Sequence, residues 1–230
     1  MVAFLDKWQT LIGAAIGGGM GAAGALIVAW NATRRERRIA ATMVLPEVMS
    51  FQAADAAIKK ILKVSHLSKS AQMKHVSLLL LKQRPKIRAL HSQVATQLYD
   101  LDGRLYAHLA HCQMIHEEFE AALDLFGQEV NAAKAPLTSV EDAASIEAGL
   151  DVGASAVTTA WDYCVEHAAL ANYYLDRFVF RRWPVWGFKL KMRIFPNDLD
   201  RRSAHLLETA KLLDEKSTIP SSSIDENTPL

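Results

Sequence analysis

One pattern in the sequence has the residue types of a metal site. His108, Cys112 and His116 recur every four residues, so a helix would carry all three on one face. Imidazole and thiolate ligands suit zinc, and Cys164 comes near if its helix packs against theirs. Cys112 also lies on an apolar stripe, however, where a free cysteine packs as a small hydrophobic residue. Core packing is the preferred interpretation. We therefore predict no metal and no cofactor, and keep His108, Cys112 and His116 as the metal candidates.

Glycines at positions 19, 21 and 24 match the dinucleotide-binding pattern G-x-G-x-x-G. That pattern binds phosphate only where it follows a strand and opens a helix in a βαβ unit, and no second β-type run follows here. Signatures of hydrolase and metalloprotease catalysis, G-x-S-x-G and H-E-x-x-H, do not occur in the sequence. The sequence favours a non-catalytic protein with no identified small-molecule substrate. An enzyme with an unfamiliar site stays open.

The net charge of +1 hides alternating basic and acidic blocks. Residues 56–99 carry nine Lys or Arg and no acid, whereas residues 100–176 carry fourteen acids and two bases. The basic block can bind anionic lipid, bind nucleic acid, or pair with the acidic block inside the fold. Few aromatic residues are interleaved with it to stack on bases. Pairing within the fold is the simplest of the three interpretations, and we predict no nucleic-acid partner.

A third block, residues 177–195, combines six bases with six large aromatic residues and has no acid. This composition is typical of a segment that lies on an anionic membrane, although a protein-docking patch has the same composition. Together with the arginines at 34–38 it forms the predicted membrane surface. The residues predicted to contact the membrane surface are Arg34, Arg35, Arg37, Arg38, Arg181, Arg182, Trp183, Trp186, Lys189 and Lys191.

Residues 8–30 form an uncharged run with a tryptophan at each end. As a helix this run would be about 34 Å long, enough for a hydrocarbon core of roughly 30 Å. The run is too long for the apolar part of a cleaved signal, and a basic stop follows it, so we predict a retained transmembrane anchor. The four arginines at 34–38, after the uncharged run, outnumber Lys7, the one base before it. The positive-inside rule therefore predicts a single pass through the plasma (inner) membrane, N-terminus outside and C-terminal domain cytoplasmic.

Small residues line one face of this predicted anchor. Gly13, Gly17 and Gly21 recur every four residues, and Ala25 continues the ridge. Such spacing lets two helix backbones approach closely inside lipid. It resembles the glycine-zipper pattern of oligomeric membrane helices. The resemblance implies a homo-oligomer or a partner membrane helix, in addition to the lipid bilayer itself.

The rest of the chain has the periodicity of helices, which predicts an all-α fold. We expect the anchor helix to bend or end at Pro46, and residues 86–130 to form one long helix. From residue 150 to 178, apolar positions step alternately by four and three, the pattern of a coiled-coil seam. Two long helices joined by a short loop predict an antiparallel hairpin within a cytoplasmic helical bundle. The predicted domains are an anchor at 1–33, a bundle at 34–215 and a disordered polar tail at 216–230.

These features predict a single-pass, membrane-anchored helical scaffold or adaptor that acts through helix–helix interactions and is not catalytic. One alternative is a membrane-perturbing or pore-forming effector built on the glycine-rich helix. A second alternative is a helical-bundle metal sensor or enzyme.

Overall fold

A computed structural model describes residues 2–64, 66–88, 93–134, 140–181 and 185–217, and helices account for 91% of these described residues. No strand occurs among them, so the all-helical fold class is confirmed. In chain order the helices are α1 (Val2–Val64), α2 (Lys69–Gln83), α3 (Gln93–Tyr99), α4 (Gly103–Ala132), α5 (Val140–Leu175), α6 (Val185–Ile194) and α7 (Asp198–Ser217). A π-helical turn, Asp176–Phe180, continues α5.

The helix α1 has two parts with opposite environments. Every described side chain from residue 13 to 33 is exposed, whereas buried positions begin at Ala40 and continue on one face to Ile58. The helix does not end at Pro46. A proline inside a helix costs about 3 kcal/mol. Buried side chains on both sides of it, Val44 and Val48, hold the helix in the core and offset that cost.

The helices α4 and α5 pack antiparallel, as their side-chain contacts show. Phe119 of α4 lies against Trp161 of α5 with ring centroids 5.5 Å apart, while Cys112, earlier in α4, meets the carbonyl of Cys164, later in α5. A close approach occurs near the start of α5, where a Cβ on Gly153 would lie 3.2 Å from the ring of Phe126. Glycine at this position keeps the two helices close. The seam predicted on α5 is buried from Ala154 to Phe178, and Leu150 is half-buried.

The expectation of one helix over residues 86–130 is wrong. The chain leaves helix between Tyr99 and Gly103, and α4 begins only there. Asp102 is the reason, because its carboxylate accepts a hydrogen bond from the backbone N–H of Arg104 at 2.9 Å and caps the new helix. Residues 89–92 lie outside the described part, so α3 starts at Gln93. Most of the predicted tail, residues 218–230, also lies outside it.

Part of the basic block pairs with the acidic helices. Arg84 follows α2 and contacts Glu120 at 2.7 Å and Asp124 at 2.5 Å, both on α4. Lys74 on α2 contacts Asp151 of α5 at 3.1 Å. Both bases are partly exposed, where one ion pair contributes little stability. Their placement shows how α2 docks: it brings positive charge to the acids of α4 and α5.

We expect Phe119→Ala to lower the free energy of unfolding by about 3–5 kcal/mol, because the fully buried ring would leave a cavity beside Trp161. Denaturant titration of the detergent-solubilised protein, followed by circular dichroism, measures this. Leu125→Ala on the same helix is the control, since Leu125 is 63% exposed. Equal losses for the two variants would contradict the packing of α4 described above.

Candidate functional site

The exposed part of α1 has the length and composition of a membrane span. Among the described residues, one helix is apolar and long enough to cross a membrane, and it is this one. Its large apolar side chains are exposed, such as Leu26 at 71% exposure. An exposed apolar surface of this extent marks an interaction with a membrane or another protein.

The predicted packing ridge lies on this exposed part. A Cβ placed on Gly13, Gly17 or Gly21 would meet no atom within 4 Å. Ala25, the fourth ridge position, is also exposed. The glycines are therefore not required by any contact within the described fold, and their face is open to another helix.

The C-terminal end of α5 lies beside the arginines that follow the exposed span. Arg34 donates through Nη2 to the carbonyl of Arg181 at 3.5 Å, and Arg38 donates in the same way to the carbonyl of Phe180. Carbonyls at the end of a helix lack intrahelical partners and attract cations. Three of the predicted membrane-surface residues, Arg34, Arg38 and Arg181, thus occur together at one end of the fold.

Helix α6 lies at the same end. It follows the π-helical turn, and its Lys189 contacts Asp102, the cap of α4, at 3.3 Å. The side chains of Phe188 and Met192 are buried in the core. Trp186, which is 70% exposed, shares the opposite face with Leu190 and Ile194. The predicted contacts Trp186, Lys189 and Lys191 are all exposed, while Arg182 and Trp183 lie outside the described residues.

The three metal candidates do not come together. His108 pairs with His167 and Ser203, whereas His116 Nε2 lies 2.9 Å from the carbonyl oxygen of Pro85 and 3.7 Å from Glu120. Because a carbonyl oxygen only accepts, His116 donates this hydrogen bond. Cys112 is fully buried among apolar side chains. Within the described part of the chain, no three or more His, Cys, Asp or Glu side chains are arranged to hold a metal ion.

The structure instead groups three histidines that the sequence analysis had not combined. His108 Nδ1 lies 3.0 Å from His167 Nδ1, and His108 Nε2 lies 2.7 Å from Ser203 Oγ. The His111 ring is 5.2 Å from that of His167. These residues belong to α4, α5 and α7. The only sequence signal for this cluster was the spacing of His108 and His111, and nothing placed α7 against them.

A serine, a histidine and a second histidine in a chain have the connectivity of a nucleophile, a base and an orienting group. Ser203 is fully buried, however, so a substrate cannot reach its hydroxyl. Burial, together with the charge that a protonated His167 would carry, lowers the pKa of His108 to about 3, which makes it a poor base. Burial likewise lowers the pKa of His167 to about 4. Both imidazoles are neutral near pH 7, and a structural role fits them.

Neither cysteine is reactive in this environment. Burial raises the pKa of Cys112 to about 12 and raises that of Cys164 further. The thiolate is the nucleophilic form, so both side chains behave as small apolar groups. An introduced, exposed cysteine can therefore be labelled selectively.

We expect the free energy of unfolding to fall as the pH is lowered from about 6.5 toward 4. In this range the unfolded chain binds protons at His108 and His167, while the folded protein, with lowered pKa values for both, does not. Each histidine then contributes a slope of up to about 1.4 kcal/mol per pH unit. Denaturant titrations at several pH values measure the slope. His167→Gln should reduce it by about half, and Leu125→Gln, at an exposed and non-titrating position on α4, should leave it unchanged. The same slope in all three proteins would contradict this account.

Comparison with protein-family models, with curated proteins and with solved structures found no match to this chain. What the protein does must therefore be inferred from the burial, charge and contacts of its own residues.

Proposed function

We propose that this protein is a single-pass, membrane-anchored helical adaptor. The observation that carries the proposal is the continuity of α1, whose exposed apolar part runs without interruption into the core of the helical domain. A helix of this kind both crosses a bilayer and holds a folded domain at its surface.

The orientation follows from charge. Arg34, Arg35, Arg37 and Arg38 lie directly after the proposed span, on the side that leads into the folded domain. Basic residues next to a span are retained on the cytoplasmic side. We therefore propose that the N-terminus is outside and that the helical domain is cytoplasmic, at the plasma (inner) membrane.

Helix α6 would rest on the same membrane surface. Its exposed apolar face, formed by Trp186, Leu190 and Ile194, is flanked by the bases Lys189, Lys191 and Arg193. An apolar face bordered by bases suits the interface of an anionic membrane, where each base contributes about 1 kcal/mol. The contact of Arg34 and Arg38 with the end of α5 supports this position, since it brings α6 to the end of the fold where the span emerges.

The glycine ridge would be the second contact of the anchor. On a straight helix with 3.6 residues per turn, the ridge at Gly13, Gly17 and Gly21 points roughly opposite to the face that Ala40, Val44 and Val48 bury. Two anchors packed through their ridges would therefore keep their folded domains on the outside of the pair. This geometry supports self-association without a clash between the two domains.

A depth measurement tests the anchor and α6 together. A fluorophore is attached to single cysteines introduced as Leu26→Cys, Leu190→Cys or Leu125→Cys in full-length protein reconstituted into vesicles with anionic lipid. Lipids that carry a quencher on the acyl chain should quench the label at position 26 strongly, at 190 partially and at 125 hardly at all, since Leu125 lies far along α4 from α6. Absence of quenching at position 26 would refute the anchor, and absence at 190 alone would refute only the contact of α6.

We expect Gly17→Leu to reduce cross-linked dimers in membranes by about tenfold, because a bulky side chain on the ridge would prevent close helix packing. Cross-linking in native membranes followed by electrophoresis measures this. Gly18→Leu is the control: Gly18 is equally exposed but lies off the ridge. A wild-type protein that is wholly monomeric, or dimers that persist in Gly17→Leu, would refute self-association through the ridge.

A further inference from the structure

The helices α4 and α5 have one covered face and one open face. Helix α2 packs on the covered face, where Val76 and Leu80 are buried and the Ser77 hydroxyl donates to the carbonyl of Ala154 at 3.2 Å. On the open face a groove of about 600 Å³ runs between the two helices. All the described residues that line it belong to α4 and α5, so no other described helix covers it.

The groove has the shape that a helix needs. Its floor is made of small side chains, Ala122 of α4 and Ser155, Ala156 and Ala160 of α5. Larger apolar side chains rise beside them and remain open to solvent. Val152, at 71% exposure, lies at one end, and half-exposed Tyr163 lies at the other. Small residues between apolar walls let a helix backbone approach closely and bury its own apolar face.

The negative charge of α4 and α5 favours a partner helix that is basic. Together α4 and α5 carry eleven acidic residues and one basic residue, Arg104. Five of these acids pair with Lys74, Arg84 or Arg202 away from the groove, which leaves the two helices with an excess of negative charge. None of the described residues that line the groove is basic, and Glu118 lies exposed at its edge. On the covered face the chain itself supplies the complement, because Lys74 and Arg84 reach the acids of α4 and α5. A basic helix on the open face would complement Glu118 in the same way.

We infer that this groove is the docking site for a basic amphipathic helix of a partner protein. The inference rests on the proposed adaptor function and names the chemistry of the partner that such an adaptor would hold. Within the chain, the longest stretch outside the described residues, 218–230, has two acids and no base, and the basic helix α6 is held at the end of α5 by its buried Phe188 and Met192. A second copy is disfavoured, because it would bring two strongly acidic helix pairs together.

Binding of a model peptide tests the inference. The probe is a labelled helical peptide of about 18 residues, five turns, with Leu and Ala on one face and Lys on the rest. Its matched control has Glu in place of every Lys. Fluorescence anisotropy is measured on full-length protein in zwitterionic nanodiscs, with the signal of empty nanodiscs subtracted. The Lys peptide should bind at least about tenfold more tightly than the Glu peptide.

Two variants locate the binding. Ala156→Trp fills the groove and Glu118→Lys reverses the charge at its edge, and each should weaken binding of the Lys peptide by about tenfold. Both positions are exposed, so the fold should be preserved, which circular dichroism checks. Ala57→Trp, at an exposed position on α1, is the control and should bind as the wild type does. If one variant fails to fold, the other still decides.

Three results would overturn the inference: no binding of the Lys peptide above empty nanodiscs, equal binding of the two peptides, or binding that neither groove variant weakens. Cross-linking between copies through Ser155→Cys would overturn it too, since it would assign the groove to a second copy. The quenching of a label at position 26 is measured in the same nanodiscs. Loss of peptide binding with that quenching intact would refute the groove and leave the anchor standing.

Discussion

The continuity of α1 is the constraint on which the rest of the structure depends. The same helix presents an open apolar surface up to residue 33 and buries Ala40, Val44 and Val48 in the core. A helix transmits rotation along its axis, so the direction of the glycine ridge and the direction of the folded domain are fixed relative to each other. Pro46 would by itself favour a break in α1. Core packing on both sides of it keeps the helix continuous, and so keeps the two directions fixed. The position of the domain relative to a membrane would then be set by one rigid element.

A second contact, at the turn that follows α5, also holds the folded domain to α1. The π-helical turn leaves the carbonyls of Phe180 and Arg181 facing the arginines that follow the exposed part of α1. These bonds join the end of the π-helical turn to the turn of α1 that precedes the buried Ala40. A second attachment near the span would restrict tilting of the domain about α1.

Much of the helical content could be predicted from residue patterns, because apolar periodicity reports burial directly. The steps of four and three from Ala154 to Phe178 lie on the buried face of α5, as the pattern predicts. The errors occurred where a local signal and tertiary packing compete. Proline at position 46 predicted a bend or an end of α1, and the helix does not end there because core packing on both sides outweighs the proline. The sequence pattern predicted one helix over residues 86–130, but the capping carboxylate of Asp102, followed by Gly103, begins a new helix there. The histidine cluster could not be predicted, because it depends on how α7 docks.

The docking of α7 follows a different principle from that of the other helices. The buried side chains that α7 contributes are polar, Asp200 and Ser203, and none of its described residues belongs to the buried apolar core. Asp200 accepts from Tyr173 of α5 at 3.2 Å, and Asn197 donates to the same hydroxyl at 2.6 Å. Hydrogen bonds are directional and fix the register of a helix, but each contributes only about 1 kcal/mol. The helix α7 is therefore held in one specific position with little apolar burial. The Ser203 hydroxyl, 2.7 Å from Nε2 of His108, adds a polar contact of the same kind to α4.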